Sequence, residues 1–137
     1  MKWYLYFGHG GKDPGALGPT NLKESDIVLK IGMMVKENLE QAFEKVITTR
    51  EEDIYYSLKY RTKKANSENS DYFISIHLNS IPDIEMNVHK NRGTSVYFYN
   101  PNSKALAKSL ENSITKPMVI KSNNTDYSIY IVINKFD

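Results

Sequence analysis

His9, Glu24 and His77 are the residues of this chain whose types and placement could do metal chemistry. Two imidazoles and one carboxylate make a common catalytic zinc set that leaves a fourth position for water, whose pKa falls from about 15.7 to about 7 on the metal. Their spacing matches no local zinc motif such as His-Glu-x-x-His, so a hydrogen-bonded surface role remains open for each from spacing alone. His89 stands in a polar segment after Pro82 and is expected to be solvated. The chain has no cysteine, which excludes thiolate zinc sites, iron–sulfur clusters and thiol nucleophiles together.

Other chemistries fit less well. Gly8-His9-Gly10-Gly11-Lys12 follows a strand, but Tyr6 and Asp13 stand where a Walker loop needs glycine and Ser/Thr, and Asp13 occupies the third glycine position of a dinucleotide fingerprint. Ser75 lacks a Gly-x-Ser-x-Gly setting. Ten tyrosines could form a stacking surface, yet Tyr4 with Tyr6 and Tyr97 with Tyr99 alternate as core and sheet-face residues do.

The elements that must position these groups follow from periodicity. Trp3–Phe7 reads as a buried strand running into a loop, Gly8 to Lys23, that holds five glycines and two prolines. Ile27, Ile31, Met34, Val35, Leu39, Ala42 and Phe43 recur at helical intervals, so residues 25–44 form an amphipathic helix with Ser25 and Asp26 as capping candidates. A short strand at Val46–Thr49 leads to a second helix from the acidic Glu51-Glu52-Asp53 to about Asn66. Asp71–His77 is a nearly continuous apolar strand ending on its histidine. Thr94–Tyr99, a helix from Pro101-Asn102-Ser103 to Thr115, and a last strand at Ser128–Ile133 complete the order. Alternating strands and helices predict a single α/β domain with a mostly parallel twisted sheet flanked by helices. In such sheets ligands bind at the carboxyl ends of the strands, where His9, Glu24 and His77 all map.

Composition narrows the partners. Eighteen basic and 16 acidic residues give +2, with 40% hydrophobic and 25% charged residues, an ordinary globular balance. The basic residues are scattered, and Arg61, Lys63 and Lys64 read as a solvated helix face, so no nucleic-acid partner is expected. The apolar run Trp3–Phe7 is too short for a signal-peptide core, and no stretch reaches the ~20 residues of a membrane span.

The segments Gly8–Ala16, Leu22–Asp26, Thr49-Arg50 and Phe73–Ser80, followed by Gly93–Tyr99 and Ser103–Ala107, resemble the zinc-dependent N-acetylmuramoyl-L-alanine amidases in order along nearly the whole chain. The resemblance implies one Zn2+ per chain on His9, Glu24 and His77, and hydrolysis of the amide between N-acetylmuramic acid and L-alanine in bacterial peptidoglycan. It also offers Asn79 as a substrate-binding position, and aligns Arg50 and Arg61 with basic positions read here as structural ion-pair formers. The family's general-base glutamate, in a Val-Glu-x-Gly-Phe motif, has no counterpart in residues 1–137. Ser128–Asn134 resembles the strand before that motif, so the domain is expected to lack the last strand and helix. Glu85, Glu111 and Asp137 are the carboxylates open as replacements, and an amidase impaired in hydrolysis but able to bind zinc or wall peptide is the alternative.

Two further expectations follow. An incomplete sheet would leave an unpaired apolar edge after Ser128–Ile133, a route to homo-oligomers. A phage or prophage lysin domain, synthesised in the cytoplasm without a signal peptide and acting at the cell wall after release, is the expected setting.

Overall fold

The computed structural model describes residues 1–18, 20–79, 94–115 and 128–135. Strand β1 (Lys2–Phe7) and strand β3 (Tyr72–Asn79) lie side by side and parallel, with β2 (Lys45–Thr48) parallel on the other side of β1. Strand β5 (Ser128–Lys135) inserts antiparallel between β3 and β4 (Ser95–Phe98), and β4 runs parallel to β5. The order is therefore β2-β1-β3-β5-β4, a mostly parallel sheet as predicted, with one antiparallel pairing. The described β5 has a partner on each side, so it is not the unpaired edge expected from the sequence; among the described residues β2 and β4 are the edges.

Alternation along β1 sorts its residues onto two faces. Trp3, Leu5 and Phe7 join Ile74, Ile76 and Leu78 of β3 in a core closed by Val28 and Ala107. Val28 belongs to helix α1 (Glu24–Gln41) and Ala107 to α3 (Lys104–Thr115), so these two helices cover one face. On the opposite face Tyr4 stacks on Phe73 at 5.7 Å, and helix α2 (Leu58–Ser67) brings Arg61 over the Tyr6 ring.

Helix α1 differs from its sequence reading in a way that matters for the site. Its buried residues are Glu24, Ser25, Val28 and Gly32, whereas Met34 is exposed and Phe43, beyond the helix end, is fully so. Residues 24, 28 and 32 recur every four positions and share one face, so the face that buries Val28 also buries Glu24. No side chain caps the helix at Lys23, and Ser25, read as a cap, instead lies buried within the first turn.

Helix α2 begins seven residues later than its acidic prelude suggests, after Ser57, whose hydroxyl accepts from the Tyr60 amide as an N-cap. Glu51, Glu52 and Asp53 remain in the connection because other groups claim two of them: Asp53 accepts from the Gly11 amide, and Glu51 from Thr48. The tyrosine reading divides. Tyr4 is buried as expected, but Tyr97 and Tyr99 are exposed because β4 is short and lies at the edge.

Candidate metal centre

The register of β1 on β3 sets the site. Phe7 pairs with Ile76, so Gly8 and His77, the next residues on each strand, come together. Gly8 donates its amide to the Ile76 carbonyl at 3.2 Å, and a Cβ at Gly8 would collide with the His77 ring. Glycine here makes room for the imidazole. His77 is not the last residue of its strand, as the sequence suggested; β3 continues to Asn79 because β5 pairs along its whole length.

His9 follows Gly8 in a left-handed conformation, φ 60°, which is uncommon for a non-glycine residue. A tight turn holds it there. Gly10 and Asp13 exchange backbone hydrogen bonds of 2.8 and 3.1 Å, and this brings the Asp13 carboxylate to 3.0 Å from His9 Nδ1. Arg61 donates to the His9 carbonyl at 3.1 Å. His9 Nε2 then faces Glu24 Oε2 at 3.2 Å, and His77 Nδ1 lies 3.1 Å from Glu24 Oε1.

Glu24 opens α1 and is only 3% exposed. Its Oε2 accepts from the Ala16 amide and its Oε1 from the Leu78 amide, each at 2.9 Å. Burial alone would raise its pKa, but the bonds from His77, His9 and the two amides outweigh that and hold it well below the usual carboxylate range. His9 is raised above its ordinary value by its hydrogen bond to Glu24, against burial and with help from Asp13. Gly15 is the second glycine the site requires: with φ 66°, a Cβ there would come within 2.6 Å of both Glu24 Oε2 and the His9 ring.

One ligand atom from each of His9, Glu24 and His77 can be chosen so that all lie within 4.8 Å of one another. The donor set fits a divalent metal with nitrogen and oxygen preference: the carboxylate is ionised, and the rear nitrogen of His9 is engaged by Asp13, leaving Nε2 toward the cluster.

The structure thus gathers the three residues singled out from the sequence, although His9 and His77 stand 68 positions apart in the chain. Asn79 ends β3, and its side chain lies outside the described residues, as do His89, Glu85 and Asp137. Glu111 is exposed on α3. Arg50 and Arg61 are both buried, and neither forms an ion pair among the described residues; they donate to backbone carbonyls and, for Arg61, to the Tyr6 hydroxyl. That corrects their reading as ion-pair formers: the acceptors are chain carbonyls at the strand ends, which no residue type announces. Asp13 was missed as a partner of His9, although its i+4 position across a glycine turn was a usable signal.

Comparison with known proteins adds the family. The Amidase_3 family, described as N-acetylmuramoyl-L-alanine amidase, matches residues 4–137. The chain is 35% identical over 119 residues to N-acetylmuramoyl-L-alanine amidase AmiC of Neisseria meningitidis, covering 87% of this chain and 26% of that protein. It is 45% identical over 80 residues to the endolysin of Bacillus phage SPP1, covering 58% of this chain and 29% of the endolysin. Among solved structures, N-acetylmuramoyl-L-alanine amidase AmiC2 of Nostoc punctiforme superposes with a TM-score of 0.70 at 29% identity, over 96% of this chain and 77% of that one. The chain spans under a third of the length of these two sequence relatives. With the order of its motifs, its sheet and its His-Glu-His cluster in agreement, the chain belongs to the N-acetylmuramoyl-L-alanine amidase family.

Proposed function

We propose that residues 1–137 are the catalytic domain of a zinc-dependent N-acetylmuramoyl-L-alanine amidase that cuts the amide between the lactyl group of N-acetylmuramic acid and L-alanine in peptidoglycan. The observation that carries this reading is the convergence of His9, Glu24 and His77 at the end of two parallel strands in a chain of this family. Zn2+, one per chain, would supply a Lewis acid for the scissile carbonyl and an activated water.

The chain's own residues do the rest. The Ala16 and Leu78 amides donate to the buried Glu24 and favour its carboxylate form. Asp13 directs His9 by accepting at Nδ1, which leaves Nε2 toward the cluster. Arg61 anchors the His9 carbonyl while its guanidinium lies 5.0 Å from the Tyr6 ring, and that ring in turn lies 5.7 Å from His77.

The likeness to a phage endolysin supports action on the wall after release. Incubating purified cell wall with the chain and zinc is expected to release new L-alanine amino groups, and a chelator is expected to stop it. Absence of release from folded, zinc-loaded protein contradicts the reading. It would favour the second one, a chain that binds zinc or wall peptide with little hydrolysis, which one observation supports: residues 1–137 hold no Val-Glu-x-Gly-Phe segment.

A further inference from the structure

Arg50 is 4% exposed and has no carboxylate within ion-pair distance among the described residues. Burying a guanidinium without a counter-charge is costly, so it is a poor device for stability alone. Its donors are spent on backbone carbonyls instead. Nη1 donates to Glu52 at 3.0 Å, Nε to Phe7 at 3.4 Å, and a single Nη2 donates at 2.9 Å both to Gly8 and to Ser25. Gly8 precedes His9, and Ser25 follows Glu24.

The other backbone bonds at the start of α1 run to the far limb of the loop, from Glu24 to Ala16 and from Ser25 to Pro14. Arg50 ties the same helix start to the end of β1. The loop closes over it: at Gly10, φ 123°, a Cβ would stand 3.0 Å from Arg50 Nε. A planar guanidinium presents two hydrogens on one nitrogen in a fixed fork, which suits two carbonyls held at a set separation; an ammonium on a flexible stem does not impose that spacing.

We infer that Arg50 is a positioning residue for the metal centre, clamping the residue before His9 to the residue after Glu24 and so setting the distance between two ligands. The inference rests on the metal reading of the cluster proposed above. Arg61 anchors only the His9 side, through the His9 carbonyl, and does not join the two segments.

The test is titration of the metal-free chain with cobalt(II), followed by visible absorption, for the wild type, Arg50→Lys, Arg50→Gln and Lys64→Met, each with a thermal melt. Lys64 donates to the Thr48 carbonyl at 2.8 Å, a cation-to-carbonyl bond that touches neither ligand segment. We expect both Arg50 variants to bind cobalt roughly 10–100-fold more weakly, as for loss of a group that orients ligands, with an altered absorption band. Lys64→Met is expected to lower the melting temperature and keep the wild-type affinity and spectrum.

Wild-type affinity in Arg50→Lys and Arg50→Gln overturns the inference, and so does an equal loss of affinity in Lys64→Met. Loss of a cooperative melt in both Arg50 variants assigns the residue to the fold and overturns it as well. Failure of the wild-type chain to bind cobalt overturns the metal reading first, and the clamp with it.

Discussion

β1 and β4 are both aromatic-rich strands of one sheet, and they are built differently. In β1, Tyr4, Leu5 and Phe7 are wholly buried, and the strand has a parallel partner on each side. In β4, four residues long and paired on one side only among the described residues, Tyr97 is 54% exposed and Phe98 also faces solvent. The candidate ligands hang from the first kind of strand. His9 follows β1, His77 lies on β3 beside it, and the face of α1 that packs on them carries Glu24. A metal centre needs its ligands held to within a fraction of an ångström, and a strand packed on both faces and bonded on both edges supplies that.

The largest expected effect is at the cluster. His77→Ala should abolish stoichiometric zinc binding, read as metal content after dialysis, and zinc retained at one per chain would contradict the assignment. Next comes the strand that supports it: Phe7→Ala should cost about 3–5 kcal/mol in urea denaturation, because it opens a cavity among residues with no exposure. A cost near that of a surface change would show that β1 and β4 are equivalent after all.

Asp13→Ala should leave the fold intact and weaken zinc roughly 10–100-fold in a competition titration, since it frees His9 Nδ1. Unchanged affinity would remove Asp13 from the site. The metal-free chain should also show its pH dependence at this end of the sheet. The depressed Glu24 contributes stability above its ordinary pKa of 4.5, which is lost as pH falls through the folded value; the raised His9 contributes fully below 6.5, and that is lost as pH rises through its folded value. Melting temperature against pH should therefore carry both limbs in the wild type; Glu24→Gln should remove its acid limb and also shrink the alkaline one, because Glu24 is the main cause of the raised His9.

The smallest effect belongs to β4. Tyr97→Ser should change stability by no more than about 0.5 kcal/mol, as exposed substitutions generally do. If copies of this chain associate through a sheet edge, β4 is an available one, and light scattering of Tyr97→Ser against the wild type reads it: a mass that does not rise with concentration in either removes that association.

Much of the site-bearing half was legible in residue order. Trp3–Phe7 and Asp71–His77 are apolar runs that only buried strands accommodate, and both are strands here apart from boundary shifts of a residue or two. The candidate ligand set was legible because His9, Glu24 and His77 all map to the carboxyl ends of the strands and lie in segments that resemble the amidase family. Less was legible where a polar side chain had a distant claimant. Asp53 looked like a helix-starting acid and instead accepts from Gly11, 42 residues away. Met34 and Phe43 fitted the helical period, yet the burying face is that of Val28 and Gly32, because Phe7 fills the space where a side chain at residue 32 would lie.

Sequence by itself determined the alternation of strands and helices and offered His9, Glu24 and His77 as candidate ligands, since these rest on local periodicity and on side-chain chemistry. Tertiary structure decided which strands became neighbours, the antiparallel insertion of β5 that extends β3 past His77, and the carbonyl partners of Arg50 and Arg61. Those outcomes depend on backbone groups brought together from remote parts of the chain. Every residue except proline carries the same backbone donor and acceptor, so nothing in the order of side chains distinguishes which carbonyl a buried arginine will find.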